Sequence, residues 1–68
     1  MTNTVKEKVG RTINNFSRVP LWNTTMTKDE VNHLFEEYSD TIFCNGHLRQ
    51  IKADAITGDV FKVYTKPF

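Results

Sequence analysis

The chain has 68 residues, of which 38% are hydrophobic and 25% charged, with a formal net charge of +1. That composition belongs to a globular domain rather than a disordered segment. A chain this short buries only about 60% of its unfolded surface, which leaves no room for a deep catalytic cleft beside a core. The single cysteine excludes an internal disulfide framework. No apolar run approaches the ~18 residues of a membrane span, and the N-terminus carries no apolar signal region. The expectation is one small domain over residues 1–68, with flexible ends at 1–3 and 67–68, in a reducing cytoplasmic setting. There the sequons Asn15-Phe16-Ser17 and Asn23-Thr24-Thr25 are chance matches.

Charge is unevenly placed. Lys6, Lys8, Arg11 and Arg18 outweigh Glu7 in residues 1–22. Residues 23–41 carry Asp29, Glu30, Glu36, Glu37 and Asp40 against Lys28 alone, and the remainder sets Arg49, Lys52, Lys62 and Lys66 against Asp54 and Asp59. This is no domain-wide basic field of the kind that marks a general nucleic-acid binder.

In chain order, Thr4-Val5-Lys6-Glu7 fits a capping box, and Val5, Val9, Ile13 and Phe16 recur at helical spacing. A helix over 5–15 is predicted, with a strand as the alternative because Gly10, Thr12, Asn14 and Asn15 are poor helix formers. Pro20 restricts Val19 and ends any helix before it, so 17–26 reads as a loop holding Leu21 and Trp22. Thr27-Lys28-Asp29-Glu30 is a second capping box, with Met26 and Val31 as its staple. Val31, Leu34, Phe35 and Tyr38 then form one apolar stripe, which predicts a helix over 28–38.

Two hairpins follow. Asn45-Gly46 is a strong type I′ turn signal. Asp54-Ala55-Ile56-Thr57-Gly58-Asp59 supplies a second turn, read as a four-residue loop from Ala55 to Gly58. Strands at 41–44, 47–53 and 60–65 result, with Ala53 opposite Val60 and Arg49 opposite Tyr64. The fold class is therefore α+β, order α-α-β-β-β, a three-stranded antiparallel meander packed against helix 28–38. Directly opposed residues share a face. Phe43, Leu48, Phe61 and Val63 fall with Gln50 and Lys52 on one side. Ile42, Cys44, Ile51, Ala53, Val60 and Tyr64 fall with His47, Arg49 and Lys62 on the other. Neither face is clean. Either a bulge near Arg49-Gln50 sharpens the pattern, or the second face is covered by the N-terminal segment, a second copy or a partner.

Few side chains suggest chemistry. Cys44 and His47 flank a two-residue turn and stand about 5 Å apart, within reach of a thiolate–imidazole pair or half a metal site. Further ligands would have to come from His33, Asp40 or a remote carboxylate, and a buried cysteine beside a surface histidine is the simpler reading. Phe68 closes the chain with an aromatic that either tucks under the sheet or docks elsewhere. Glu36 and Glu37 point about 100° apart on a helix and cannot act on one atom. No phosphate loop or catalytic triad is present, and no cofactor, metal or catalytic residue is expected. The chain reads as non-enzymatic. The leading expectation is a protein-interaction module, such as a small inhibitor, adaptor or regulator, whose contact groups are Arg18, Trp22, Arg49 and Tyr64. Compact disulfide-free chains of this kind suit accessory roles, including virus-encoded ones. Its partner is another protein or a second copy of itself. The alternative is a nucleic-acid-binding regulator using Arg49, Lys62, Tyr64 and Lys66, where an aromatic stacks a base among cations.

Overall fold

The computed structural model describes residues 4–19 and 21–68. Helix α1 (Thr4–Arg18) leads to strand β1 (Asn23–Thr27), then helix α2 (Lys28–Glu37) and strands β2 (Thr41–Cys44), β3 (His47–Thr57) and β4 (Val60–Pro67). The strands form one antiparallel sheet in the order β1-β4-β3-β2. The fold is α+β, with four strands rather than three. No described helix is long and apolar enough to cross a membrane.

The N-terminal segment is a helix and not a strand, and it runs past residue 15 to Arg18. Its core stripe is Val9, Thr12 and Phe16, with Val5 and Ile13 half-buried beside them. Thr12 is tolerated there because its hydroxyl donates to the Lys8 carbonyl at 2.8 Å, so no polar group is stranded. Pro20 falls outside the described residues. The Val19 N–H still donates to the Asn15 carbonyl at 2.8 Å, so helical bonding reaches Val19.

The segment read as a loop contains β1. Met26 points inward with 1% of its surface exposed, while three threonines supply β-branched chains on the flanks. Thr27 then serves two elements, closing β1 and capping α2. Its side chain accepts the Glu30 N–H at 3.3 Å, and Glu30 Oε1 accepts the Thr27 N–H at 2.8 Å. The expected capping box is therefore present. Glu30 also meets Lys8 Nζ at 3.2 Å, which ties the start of α2 to α1. Helix α2 ends one residue early, at Glu37, with Tyr38 as its C-cap. Only Val31 and Leu34 of its stripe are buried. Phe35 and Tyr38 each keep 39% of their surface exposed.

The first hairpin forms as expected. Asn45 and Gly46 have φ of 54° and 83°, and Phe43 opposes Leu48. The second hairpin does not. Its loop is Gly58-Asp59, with Thr57 opposite Val60, and β3 carries an extra residue between Ala55 and Thr57. Asp54 lies in the strand, and the bulge falls there rather than near Arg49-Gln50. Strands β3 and β4 are correspondingly longer than 47–53 and 60–65, and Pro67 closes β4 opposite Arg49 instead of fraying. Phe68 is 72% exposed, so it does not tuck under the sheet. Ala53 opposes Val63, not Val60, and Arg49 opposes Pro67, not Tyr64. The pairing differs from the expected one by an odd number of residues, so every β4 side chain changes face.

That change resolves the two-sided sheet. Phe61, Val63 and Thr65 join Ile51, Ala53, Ile42 and Cys44 on one face. Val9, Phe16, Val31 and Leu34 of both helices pack there with Met26, Ile51 and Val63 in one core. The N-terminal segment thus covers the same face as α2. No described element covers the other.

Candidate functional site

The uncovered face is built by alternation. On it β2 and β3 set Phe43 against Leu48, and β3 and β4 set Gln50 against Lys66, Lys52 against Tyr64 and Asp54 against Lys62. Phe43 keeps 66% of its surface exposed and Leu48 42%. Tyr64 is the hub of the polar half. Its hydroxyl donates to Asp54 Oδ2 at 2.8 Å, and Lys62 Nζ lies 5.8 Å from its ring centroid. The Asp54 hydrogen bond, then burial, then the Asp54 charge hold the Tyr64 phenol above its ordinary pKa. Lys52 stands directly across from it, with Lys62 and Lys66 two residues away on either side. Three ammonium groups against one carboxylate make this half of the face electropositive. An exposed apolar pair beside a cationic cluster can seat an apolar side chain and an anionic group together.

The expected protein-contact residues do not share this surface. Tyr64 is on it. Arg49 is on the helix-covered side, half-buried, where its Nε donates to Thr65 Oγ1 at 2.9 Å and its Nη2 to the Thr65 carbonyl at 3.0 Å. Trp22 is half-buried against the core, its ring meeting Phe16 edge-on at 5.2 Å and 71°. Arg18 is exposed at the end of α1. Of the nucleic-acid set, Lys62, Tyr64 and Lys66 stand together and Arg49 does not. Sequence reasoning left out Lys52, Phe43 and Leu48, because the wrong β4 parity hid the fact that they share a face with Tyr64. Their signal lay in the Gly58-Asp59 turn.

The reassignment of Arg49 makes a prediction. Arg49→Ala removes two charge-assisted bonds and is expected to cost about 1–2 kcal/mol of stability, read as a lower urea midpoint. It should leave ligand binding at the open face unchanged once the protein is folded. A stability equal to that of the unaltered chain would dismiss the clamp.

The remaining candidates are weaker. Cys44 opposes His47 as expected, but Cys44 is buried and His47 exposed. His33, half-buried on α2, has its Nε2 3.9 Å from Glu37 Oε1 one turn further on. Among the described residues no group of three or more His, Cys, Asp or Glu side chains is placed to hold a metal ion. A shallow cavity of about 270 Å³ runs between α1 and Trp22, lined by Lys8, Arg11, Thr12, Asn15, Trp22 and Thr24. Its Lys8 is already held by Glu30. No family model, curated protein or solved structure matches the chain.

Proposed function

We propose that the chain is a non-enzymatic protein-interaction module, an inhibitor, adaptor or regulator, that engages its partner through the uncovered face of the sheet. One observation carries this reading. Phe43 and Leu48 are paired across β2 and β3 on a face that no described element covers, and both are well exposed. An exposed cross-strand Phe–Leu pair adds at most about 1 kcal/mol to a domain's own stability, whereas buried aromatic anchors dominate the energy of protein interfaces. The surrounding lysines add a requirement that the partner's surface be acidic.

The test is capture of partner proteins from native lysate by the tagged chain, compared with a Phe43→Ser/Leu48→Ser variant. The variant is expected to keep its melting temperature within a few degrees, because both side chains are exposed, and to lose stoichiometric partners by about tenfold or more. Undiminished capture by the folded variant would overturn the assignment of this face.

The lysine cluster around Tyr64 favours a second reading, in which the same face binds single-stranded nucleic acid by stacking and phosphate neutralisation. Nuclease treatment then abolishes capture, and Lys62→Ala lowers the salt slope of binding by about one.

A further inference from the structure

We infer that the free edge of β1 takes an extended acidic segment of a partner protein as a fifth strand, held against the flank of α1. This site stands apart from the open sheet face and does not depend on it. The register settles which backbone groups are free. The Ile51 N–H donates to the Asp40 carbonyl at 2.7 Å, so Ile51 turns its backbone groups towards the β2 side and Lys52 turns its own towards β4. Lys52 pairs with Tyr64, so Val63 faces β1 and meets Thr24. Asn23 and Thr25 therefore point their N–H and C=O groups outward, away from β4. Thr27 follows the same alternation, and its outward N–H is taken by Glu30 Oε1 at 2.8 Å. No strand among the described residues meets the outward groups of Asn23 and Thr25. The Thr25 carbonyl has only a long bond of 3.4 Å from Thr24 Oγ1.

Edge strands are ordinarily guarded by charge, proline or a bulge. The opposite margin of the sheet is guarded in this way, because β3 beyond the end of β2 carries Lys52, Asp54 and the bulge at Ile56. Strand β1 has none of these. The chain bears no charge from Val19 to Thr27, and Asn23-Thr24-Thr25-Met26-Thr27 is rich in β-branched side chains. The cavity of about 270 Å³ lies along this edge. One side of α1 presents Lys8, Arg11, Thr12 and Asn15 to it, and the strand side presents Trp22 and Thr24. A further strand about 4.8 Å beyond β1 runs beside this cavity and sends its helix-facing side chains towards it. Lys8 is already paired with Glu30, and the Thr12 hydroxyl with the Lys8 carbonyl. Arg11 is exposed and makes no ion pair among the described residues, even with Glu7 one turn before it. Arg18 lies two turns further along the same side, also exposed. A carboxylate on the added strand gives Arg11 the counter-charge that the chain does not.

Charge also argues against a second copy as the occupant. Two β1 strands joined antiparallel about Thr25 continue one sheet, with the helices of both copies on the same side. Arg11 and Arg18 of one copy then approach those of the other across the join, and like charges there favour a foreign acidic strand.

The test selects random heptapeptides displayed on phage for binding to the unaltered chain, with Thr25→Pro as the counter-selection. Proline at an edge position whose N–H points outward leaves the pairing with β4 intact and removes one docking donor. Enriched peptides are expected to carry Asp or Glu at alternate positions among β-branched residues. Binding is followed by the emission of Trp22, the one tryptophan of the chain. Arg11→Glu is expected to weaken it about fivefold or more, and rising salt to weaken it further. Methylating one alternate set of peptide amide nitrogens is expected to cut binding about tenfold or more, while methylating the other set is tolerated. Bound peptide is expected to slow hydrogen exchange at the Asn23 and Thr25 amides about tenfold or more. Phe43→Ser/Leu48→Ser is expected to bind the peptides unchanged, so this site and the open face fail separately. Circular dichroism checks the fold of Thr25→Pro, and the methylated peptides and the exchange rates decide the matter without that variant.

A library that yields no peptide binding the unaltered chain overturns the inference. So do peptides that tolerate both sets of methylation, or that leave the Asn23 and Thr25 amides exchanging at the free rate. Peptides without carboxylates, bound equally well by Arg11→Glu, overturn the acidic occupant. Asn23 and Thr25 amides that become protected in the chain alone as its concentration rises place a second copy on the edge and overturn the foreign strand.

Discussion

Phe16→Ala is expected to leave most molecules unfolded at room temperature. Phe16 is fully buried, one of the bulkiest side chains in a core that draws on both helices and three strands. Truncating a buried phenylalanine costs about 3–5 kcal/mol through lost transfer energy and the cavity left behind. A single core in a domain of this size rarely supplies more than about 3–5 kcal/mol in total. Trp22, the one tryptophan of the chain, lies edge-on against the Phe16 ring at 5.2 Å and reports the outcome directly. Its emission should move to longer wavelength together with loss of the far-ultraviolet helical signal. Phe43→Ala is the matched control. The same chemical change at a side chain 66% exposed is expected to shift stability by no more than about 0.5 kcal/mol. A folded Phe16→Ala variant with native Trp22 emission would mean that α1 contributes little to the core.

The contrast between these two phenylalanines separates what was legible in the sequence from what was not. Helix α2 could be read because its signals are local. Thr27 and Glu30 lie three residues apart and cap each other without help from the rest of the fold. The Asn45-Gly46 hairpin was legible for the same reason. Strand β1 was not, because Asn23-Thr24-Thr25-Met26-Thr27 offers one apolar side chain. It becomes a strand by pairing with β4, almost forty residues further on. The faces of the sheet failed at a single point. Reading Asp54 to Asp59 as a wide loop, and not as a bulge followed by the Gly58-Asp59 turn, reversed the parity of β4. It placed Phe61 and Val63 away from Ile51, and it put Arg49 beside Tyr64. The same parity decides which candidate residues share a face. Arg49, expected among the contact groups, bonds Thr65 on the helix-covered side, while Lys52, Phe43 and Leu48 share the open face with Tyr64. Conversely, Lys62, Tyr64 and Lys66 share a face under either register, because alternation within one strand does not depend on it.

Parity also predicts how the chain tolerates losing one residue, and two deletions in the same strand should differ sharply. Ile56 is the bulged residue of β3, 52% exposed, with Ala55 opposite Phe61 and Thr57 opposite Val60 on either side of it. Removing it joins Ala55 to Thr57 against Phe61 and Val60, which are already adjacent, and so completes a regular ladder into the Gly58-Asp59 turn. Deletion of Ile56 is expected to keep the fold and to hold the melting temperature within a few degrees. Gln50 lies where β3 is paired on both sides, with Thr41 and with Lys66. Its removal forces a choice. If β3 keeps its pairing with β2, Ile51 and Ala53 turn to the open face, and if it keeps its pairing with β4, the Arg49 and His47 side of the first hairpin turns over. Either way buried side chains reach solvent and exposed ones enter the core, at a cost of several kcal/mol that a domain this small does not withstand. Deletion of Gln50 is therefore expected to abolish cooperative thermal unfolding. Equal damage from both deletions would show that the bulge itself, by adding twist near the turn, is required for the sheet to wrap its helices. Equal tolerance would mean that the register is weakly held and the open face is not a defined surface.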